Sequence, residues 1–180
     1  MFDKYLILVQ DQFVYGGKKY ALSGGGQRES TDVLFDKYGK NWLIGTIDKY
    51  TFRFKNLKRE RDLLKIACYM YIMWLKRGYH IDNQRVNPID TNVKVKADFF
   101  PVFSKRVESQ RGLELELEHD NELEVLERIS DMLGRMSREE WTDMSEKVLI
   151  AIFIMTYYIW NKEFSSVKEH DTDTYNEKRT

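Results

Sequence analysis

Cysteine and histidine are scarce in this sequence of 180 residues. The single cysteine, Cys68, excludes an internal disulfide framework and a zinc site built on cysteines. The histidines His80, His119 and His170 are too widely separated to match the spacing of metal ligands. No G-x-x-x-x-G-K-S/T segment occurs, so a P-loop kinase mechanism has no support.

Long apolar segments are also missing. The most apolar segment, 148–160, spans about 13 residues, whereas a bilayer requires roughly 20, so we expect a buried helix there. The N-terminal segment carries Asp3 and only a short apolar stretch, which does not fit a secretory signal. Together with the lone thiol, these features predict a soluble cytoplasmic protein without a membrane partner.

The formal net charge is zero, from 29 basic and 29 acidic residues, but the two signs are unevenly distributed. Residues 1–85 contain 16 Lys and Arg against 9 Asp and Glu, and residues 86–180 contain 13 against 20, so the halves carry +7 and −7. This division permits an anionic partner on the first half. Duplex nucleic acid is not expected, because it would require a more basic domain with a recognisable motif.

The sequence predicts a mainly α fold with a minor β element. A helix over 57–77, with Asn56 as its N-cap, is apolar almost all round and should lie at the centre. A short helix capped by Thr31 and Asp32 should stop at Gly39. Gly45 and Thr46 should open a further helical segment, while the apolar start of the chain fits a helix or a strand.

Strict alternation of apolar and charged residues marks two predicted strands, 93–96 and 113–118. Lysines on one and glutamates on the other favour an antiparallel two-stranded ribbon. Two C-terminal helices should follow. One covers 121–134, and the other begins at a capping box over 137–140 and runs to about Phe164.

The predicted organisation has three parts. Residues 1–85 form a basic helical lobe for nucleotide binding, residues 86–164 an acidic ribbon with helices, and residues 165–180 a flexible tail. A homo-oligomer is expected, because the ribbon and the apolar C-terminal helix require more cover than so small a lobe provides.

Eight cations cluster in the basic lobe, near two aromatic residues, Trp42 and Tyr50. The cations are Lys18, Lys19, Lys49, Arg53, Lys55, Lys58, Arg59 and Arg61. Cations beside aromatic rings and glycine-containing turns suit a phosphate and a stacked base. The alternative is an ordinary solvated helix face.

Two stretches resemble bacteriophage domains. The segment from Gly45 to Lys55, followed by Glu60-Arg61-Asp62-Leu63-Leu64-Lys65 and Tyr69, is similar to a small helical domain of phage nucleotide kinase-like proteins. The elements YGGKKY (15–20) and YGKNW (38–42) resemble N-terminal domains of phage-type dATP/dGTP diphosphohydrolases.

The resemblance implies a nucleotide-handling protein of a phage or prophage, acting in the host cell cytoplasm. It carries over Lys49, Tyr50, Arg53, Asp62, Lys65, Lys18, Lys19, Asn41 and Trp42 as site residues. The histidines of the diphosphohydrolase-type helix are absent from this chain, with Asp62 and Lys65 near their places.

Two hypotheses follow, and the sequence leaves open whether the protein is an enzyme. The first is a nucleotide-binding protein of (deoxy)nucleotide metabolism, in which Glu60 and Asp62 would handle a metal such as Mg²⁺ or a water molecule. A second acidic set for such a metal is Glu124, Glu127 and Asp131, although acidic helix faces are usually solvated. The other hypothesis is a non-catalytic counter-defence protein that sequesters a nucleotide or contacts a host protein.

Overall fold

A computed structural model of the chain describes residues 1–20, 30–77, 80–81, 84–85, 97–140 and 145–165. Eight helices lie in these ranges: α1 (Phe2–Tyr20), α2 (Ser30–Tyr38), α3 (Lys40–Leu57), α4 (Glu60–Arg77), α5 (Phe100–Glu108), α6 (Leu113–Glu116), α7 (Glu122–Arg138) and α8 (Glu146–Phe164). A two-residue antiparallel pair joins β1 (His80–Ile81) to β2 (Gln84–Arg85). The mainly helical class is therefore confirmed.

Helix α4 occupies the centre of the fold, as its apolar composition predicts. It packs against α8, α3, α1 and α5, and residues on all its sides are buried, including Leu63, Met70 and Trp74. Helix α8 is its main neighbour and is also apolar nearly all round. An apolar helix of this kind must be covered on several faces, and α4 and α8 cover each other.

The N-terminal segment is a helix rather than a strand. Phe2, Tyr5, Val9 and Phe13 are buried at spacings of three and four, so one stripe of α1 faces the core. The Tyr5 hydroxyl donates a hydrogen bond to Oγ1 of Thr156 in α8 at 2.7 Å. Burial raises the pKa of the Tyr5 phenol well above its usual range.

Three predicted helix ends are confirmed. Helix α2 ends at Tyr38, and Gly39 follows with φ +66°, a positive value that costs glycine least. Helix α4 ends at Arg77, with two cations in its last turn, and α8 ends at Phe164. The predicted strand at 93–96, Gly78 and residues 166–180 of the predicted tail lie outside the described residues.

The predicted strand at 113–118 is wrong, because Leu113–Glu116 form the short helix α6. Leu113 and Leu117 contact the core, whereas Leu115 between them is 75% exposed. Residues four apart lie on the same face of a helix, so Leu113 and Leu117 can both reach the core from a helical turn. The alternation of apolar and charged residues is therefore compatible with a helix as well as with a strand. The predicted ribbon is accordingly not shown.

The predicted helix start at Ser137 is also wrong. Helix α7 continues through Gly134 to Arg138, and the Ser137 hydroxyl donates to the carbonyl of Gly134 within it. The capping box of α7 lies at its other end, where Asn121 and Glu124 exchange hydrogen bonds. Helix α8 begins instead after Ser145, whose hydroxyl accepts from the backbone N–H of Lys147.

Asn56 is not an N-cap. It lies in the last turn of α3, where its side chain donates to the carbonyl of Phe52 at 2.7 Å. The chain reverses at Lys58, which has φ +48°, and α4 begins two residues later. Gly45 and Thr46, predicted to open a segment, lie inside α3.

Helices from both sides of residue 85 share one hydrophobic core. Helix α8 packs on α4 and α1, and α7 packs on α3. The apolar face of α8 is thus covered within the chain, so it gives no reason to expect a second copy. Among the described residues, no helix is both long and apolar enough to cross a membrane.

Candidate functional site

A groove on the described surface lies between α1 and the start of α4. It has a volume of about 570 Å³. Its lining residues are Leu8, Asp11, Gln12, Tyr15, Arg59, Glu60, Arg61 and Leu64. The α1 residues recur at spacings of three and four, so they lie along one face of that helix. We call this feature the α1–α4 groove.

A smaller cavity of about 110 Å³ adjoins the α1–α4 groove and shares Gln12, Tyr15 and Arg61 with it. Phe13, Cys68 and Ile72 give the cavity an apolar wall. Its remaining lining residues are Gly16, Thr31, Tyr50, Lys65 and Tyr69. We call this feature the inner cavity, and it combines apolar walls with a few polar groups, as small-molecule sites do.

Tyr50 is the centre of the polar contacts in the inner cavity. The Lys65 ammonium donates a hydrogen bond to the Tyr50 hydroxyl at 3.1 Å and lies 4.6 Å from the ring centroid. The Tyr50 ring stacks on Tyr69, with centroids 6.0 Å apart and planes inclined by 21°. Aromatic faces and a cation are therefore held together where α3 meets α4.

Two arginines stand at the mouth of the α1–α4 groove. Arg59 and Arg61 are exposed and flank the first residue of α4, and the Arg61 guanidinium lies 5.7 Å from the Tyr15 ring centroid. Neither arginine has an ion-pair partner within the described chain. The positive end of the α4 dipole adjoins them, and the other charged residues that line the groove are Asp11 and Glu60.

Cys68 contributes apolar surface rather than a nucleophile. Its Sγ lies 3.3 Å from the carbonyl oxygen of Val9, to which it donates, and the side chain is buried. Burial raises the pKa of the Cys68 thiol far above its usual range, although Lys65 partly opposes this effect. The thiolate that nucleophilic chemistry requires is therefore disfavoured.

Four of the predicted site residues lie together along α3. Lys49 and Arg53 both approach the Tyr50 ring, with their charged groups 4.7 and 5.6 Å from its centroid. Trp42 packs edge-on against Tyr69 at 6.3 Å between centroids. This group adjoins the inner cavity through Tyr50 and Tyr69.

Other predicted residues lie elsewhere. Lys55 faces a recess between α3 and α7, and Lys58 forms an ion pair with Glu122 of α7. Asn41 is exposed in the first turn of α3. Lys18 and Lys19 belong to the last turn of α1, beyond Tyr15, and their side chains lie outside the described part of the structure.

The two predicted catalytic carboxylates are both engaged in the fold. Glu60 accepts a hydrogen bond from the Trp160 indole at 2.9 Å. Asp62 is buried and lies 3.4 Å from the Arg53 guanidinium, while its second oxygen, Oδ2, has no hydrogen-bond partner. The described residues contain no group of three or more His, Cys, Asp or Glu that can hold a metal ion.

In the predicted acidic set on α7, Glu124 belongs to the capping box. Glu127 and Asp131 are exposed.

Gln12 and Tyr15 were not predicted as site residues. Leu8, Asp11, Gln12 and Tyr15 are spaced so that they share one face of a helix. The spacing indicates a common site only once α1 is known to be a helix. Arg59, Arg61, Lys65 and Tyr69 were visible as part of the basic cluster or of the phage-like segment. Their convergence with α1 depends on the tertiary packing of α1 on α4.

No family model, curated protein or solved structure matches this chain. The resemblance to phage nucleotide-handling domains therefore stays a prediction from sequence.

Proposed function

We propose that the protein binds a nucleotide, or another small phosphate-bearing molecule with a planar ring, in the α1–α4 groove and the inner cavity. One observation carries the proposal: three cations and three tyrosines line these two adjoining spaces. They are Arg59, Arg61, Lys65, Tyr15, Tyr50 and Tyr69.

The phosphate would lie at the mouth of the α1–α4 groove. Arg59 and Arg61 present guanidinium groups, whose planar donor pattern matches phosphate oxygens. Neither arginine forms an ion pair within the described chain, and the N-terminus of α4 adds positive potential. Asp11 and Glu60 also line the groove and repel long phosphate chains, so a short phosphate group fits best.

The ring would enter the inner cavity. Tyr15 and Tyr69 offer faces or edges for stacking, which contributes about 1–3 kcal/mol per base in single-strand binders. The inner cavity has about 110 Å³, and a cavity of about 150 Å³ is known to hold benzene. Part of a planar ring therefore fits inside, with the remainder in the wider groove. Lys65 is positioned to donate to a carbonyl oxygen of that ring.

Binding without turnover is the form of the proposal that we favour. Glu60 is held by the Trp160 indole, and Asp62 is buried against Arg53. Asp62 is therefore withdrawn from a ligand, and Glu60, which lines the α1–α4 groove, has one carboxylate oxygen occupied by the Trp160 indole. The protein would act by sequestering its ligand, which suits a counter-defence role in a phage-infected cell.

The test is direct binding to a panel of nucleoside monophosphates, deoxynucleoside triphosphates and cyclic nucleotides, with and without Mg²⁺. We expect calorimetry to detect a ligand, and chromatography to recover it unaltered. Turnover in the presence of Mg²⁺ would replace sequestration by the enzymatic hypothesis. Failure of every nucleotide and of inorganic phosphate to bind would overturn the proposal.

Arg61→Ala should weaken binding by more than about tenfold, because hydrogen bonds to charged groups contribute about 1.5–3 kcal/mol. Tyr15→Ala should weaken binding of nucleotides but not of inorganic phosphate. Lys105→Ala is the matched control, since Lys105 is an exposed cation on α5 that lines neither space. Equal affinities for Arg61→Ala and Lys105→Ala would place the ligand elsewhere.

A further inference from the structure

The outer face of α3 carries a large apolar side chain that the fold leaves uncovered. Phe52 lies in the interior of this helix and is 70% exposed. Asp48, one turn before it, and Lys55, one turn after it, are exposed on the same stripe. Neither charge has an ion-pair partner in the part of the chain that is described.

The stripe of Asp48, Phe52 and Lys55 is complementary to a second copy of itself that runs in the opposite direction. An acid lies at one end, a base at the other, and Phe52 lies between them. The two charges are seven residues apart, which is about two helical turns or roughly 10 Å. In an antiparallel pair of α3 helices related by a two-fold axis near Phe52, each Asp48 faces the Lys55 of the other copy. The two phenylalanine rings then meet at the axis.

The surroundings of the stripe leave room for such a contact. A recess of about 170 Å³ runs beside it, between α3 and α7, and is lined by Asp48, Phe52 and Lys55 together with α7 residues. Gly45, two turns before Phe52, has nothing within 4 Å of the position of an added Cβ. A neighbouring backbone can therefore approach α3 closely at that end.

We propose that this face of α3 is the contact surface of a homodimer, with a second copy of the chain as its occupant. Charge complementarity supports this occupant, since each charge of the stripe meets an opposite charge at the matching height only when it faces a reversed copy of the stripe. The apolar helix α8 has no part in this contact, because it is buried within the chain. The surface is distinct from the α1–α4 groove, because the two share no lining residue.

The experiment measures mass against concentration by sedimentation equilibrium, from micromolar to several hundred micromolar protein. We expect the wild-type chain to dimerise. Phe52→Ser should weaken dimerisation at least about thirty-fold, because a central interface anchor contributes roughly 2 kcal/mol or more. Leu115→Ser is the matched control, since Leu115 is 75% exposed on α6 and should leave the dissociation constant unchanged.

Charge reversal identifies the occupant. Asp48→Lys and Lys55→Asp should each weaken dimerisation, because each places like charges opposite each other. An equimolar mixture of the two variants should form a heterodimer, and the double variant Asp48→Lys/Lys55→Asp should regain the wild-type affinity. A monomeric wild-type chain over the whole range would overturn the proposal, as would dimers that persist in Phe52→Ser or a mixture that stays monomeric.

Discussion

The ion pair between Arg53 and Asp62 allows a sharp test of what these two residues do. The sequence predicts Arg53 as a ligand-binding residue and, under the enzymatic hypothesis, Asp62 as a catalytic one. The structure places Asp62 in the first turn of the central helix, with only 3% of its side chain exposed. Arg53 is its one ion-pair partner among the described residues, and Oδ2 of Asp62 has no hydrogen bond. We therefore expect Arg53→Ala to destabilise the fold.

The size of the effect follows from the burial of the two partners. Removing one partner of a fully buried pair costs about 3–5 kcal/mol, whereas exposed pairs contribute about 0–1 kcal/mol. Here the carboxylate is buried but 39% of the Arg53 side chain is exposed, so the pair is partly screened. The α4 dipole also continues to stabilise the carboxylate, by roughly 0.3–1 kcal/mol. We expect Arg53→Ala to lower the free energy of unfolding by about 1–3 kcal/mol.

Urea unfolding followed by tryptophan fluorescence measures this loss. The control is Lys105→Ala, since Lys105 is an exposed cation on α5 that has no ion-pair partner in the described chain and lies outside the proposed dimer contact, and its removal should change stability by less than about 0.5 kcal/mol. In the Asp62→Asn background, Arg53→Ala should cost clearly less, because no buried charge remains. An Arg53→Ala variant as stable as Lys105→Ala, or an equal cost in both backgrounds, would refute the reasoning.

Two further predictions concern buried groups away from the groove. Asp32 and Lys76 form an ion pair between α2 and α4, and their side chains are 1% and 3% exposed. Asp32→Asn should therefore lower the free energy of unfolding in urea by about 3–5 kcal/mol. A loss below about 1 kcal/mol would contradict a buried pair. Burial raises the pKa of the Tyr5 and Tyr71 phenols, so the folded chain holds these protons more tightly than the unfolded chain does. Their contribution to the free energy of unfolding is therefore complete below pH ~10. Above that pH it declines by about 1.4 kcal/mol per pH unit for each phenol. Urea midpoints measured between about pH 9 and 11 test this, and Tyr5→Phe should make the decline shallower.

The parts of the fold that were predictable depend on local chemistry. The end of α2 at Gly39 and the end of α4 at Arg77 follow from glycine conformation and from cations in a last turn. The central position of α4 follows from its composition. The errors arose where two local patterns competed. The sequence at 113–118 satisfies a strand by alternation and a helical turn by the spacing of Leu113 and Leu117, and only packing against α8 selects the helix.

The site was predictable in composition but not in arrangement. Tyr50, Lys65 and the arginines at 59 and 61 are visible in the sequence as a basic and aromatic cluster. Gln12 and Tyr15 come from a segment for which helix and strand were equally compatible, and they join the cluster only through the packing of α1 on α4. Lys55 belongs to the same sequence cluster but lies on a different side of α3 from Tyr50, because five residues separate the two and a helix turns by about 100° per residue.

The cations of the basic half differ in whether they form ion pairs within the fold. Lys58 pairs with Glu122 across the α3–α7 contact, and Arg53 pairs with Asp62. Arg59 and Arg61 have no such partner within the described residues, and both line the α1–α4 groove. A protein that needed these cations only for solubility could place them on any exposed face. Their position in this groove, with Arg61 beside the Tyr15 ring, is the observation on which the proposed anionic ligand depends.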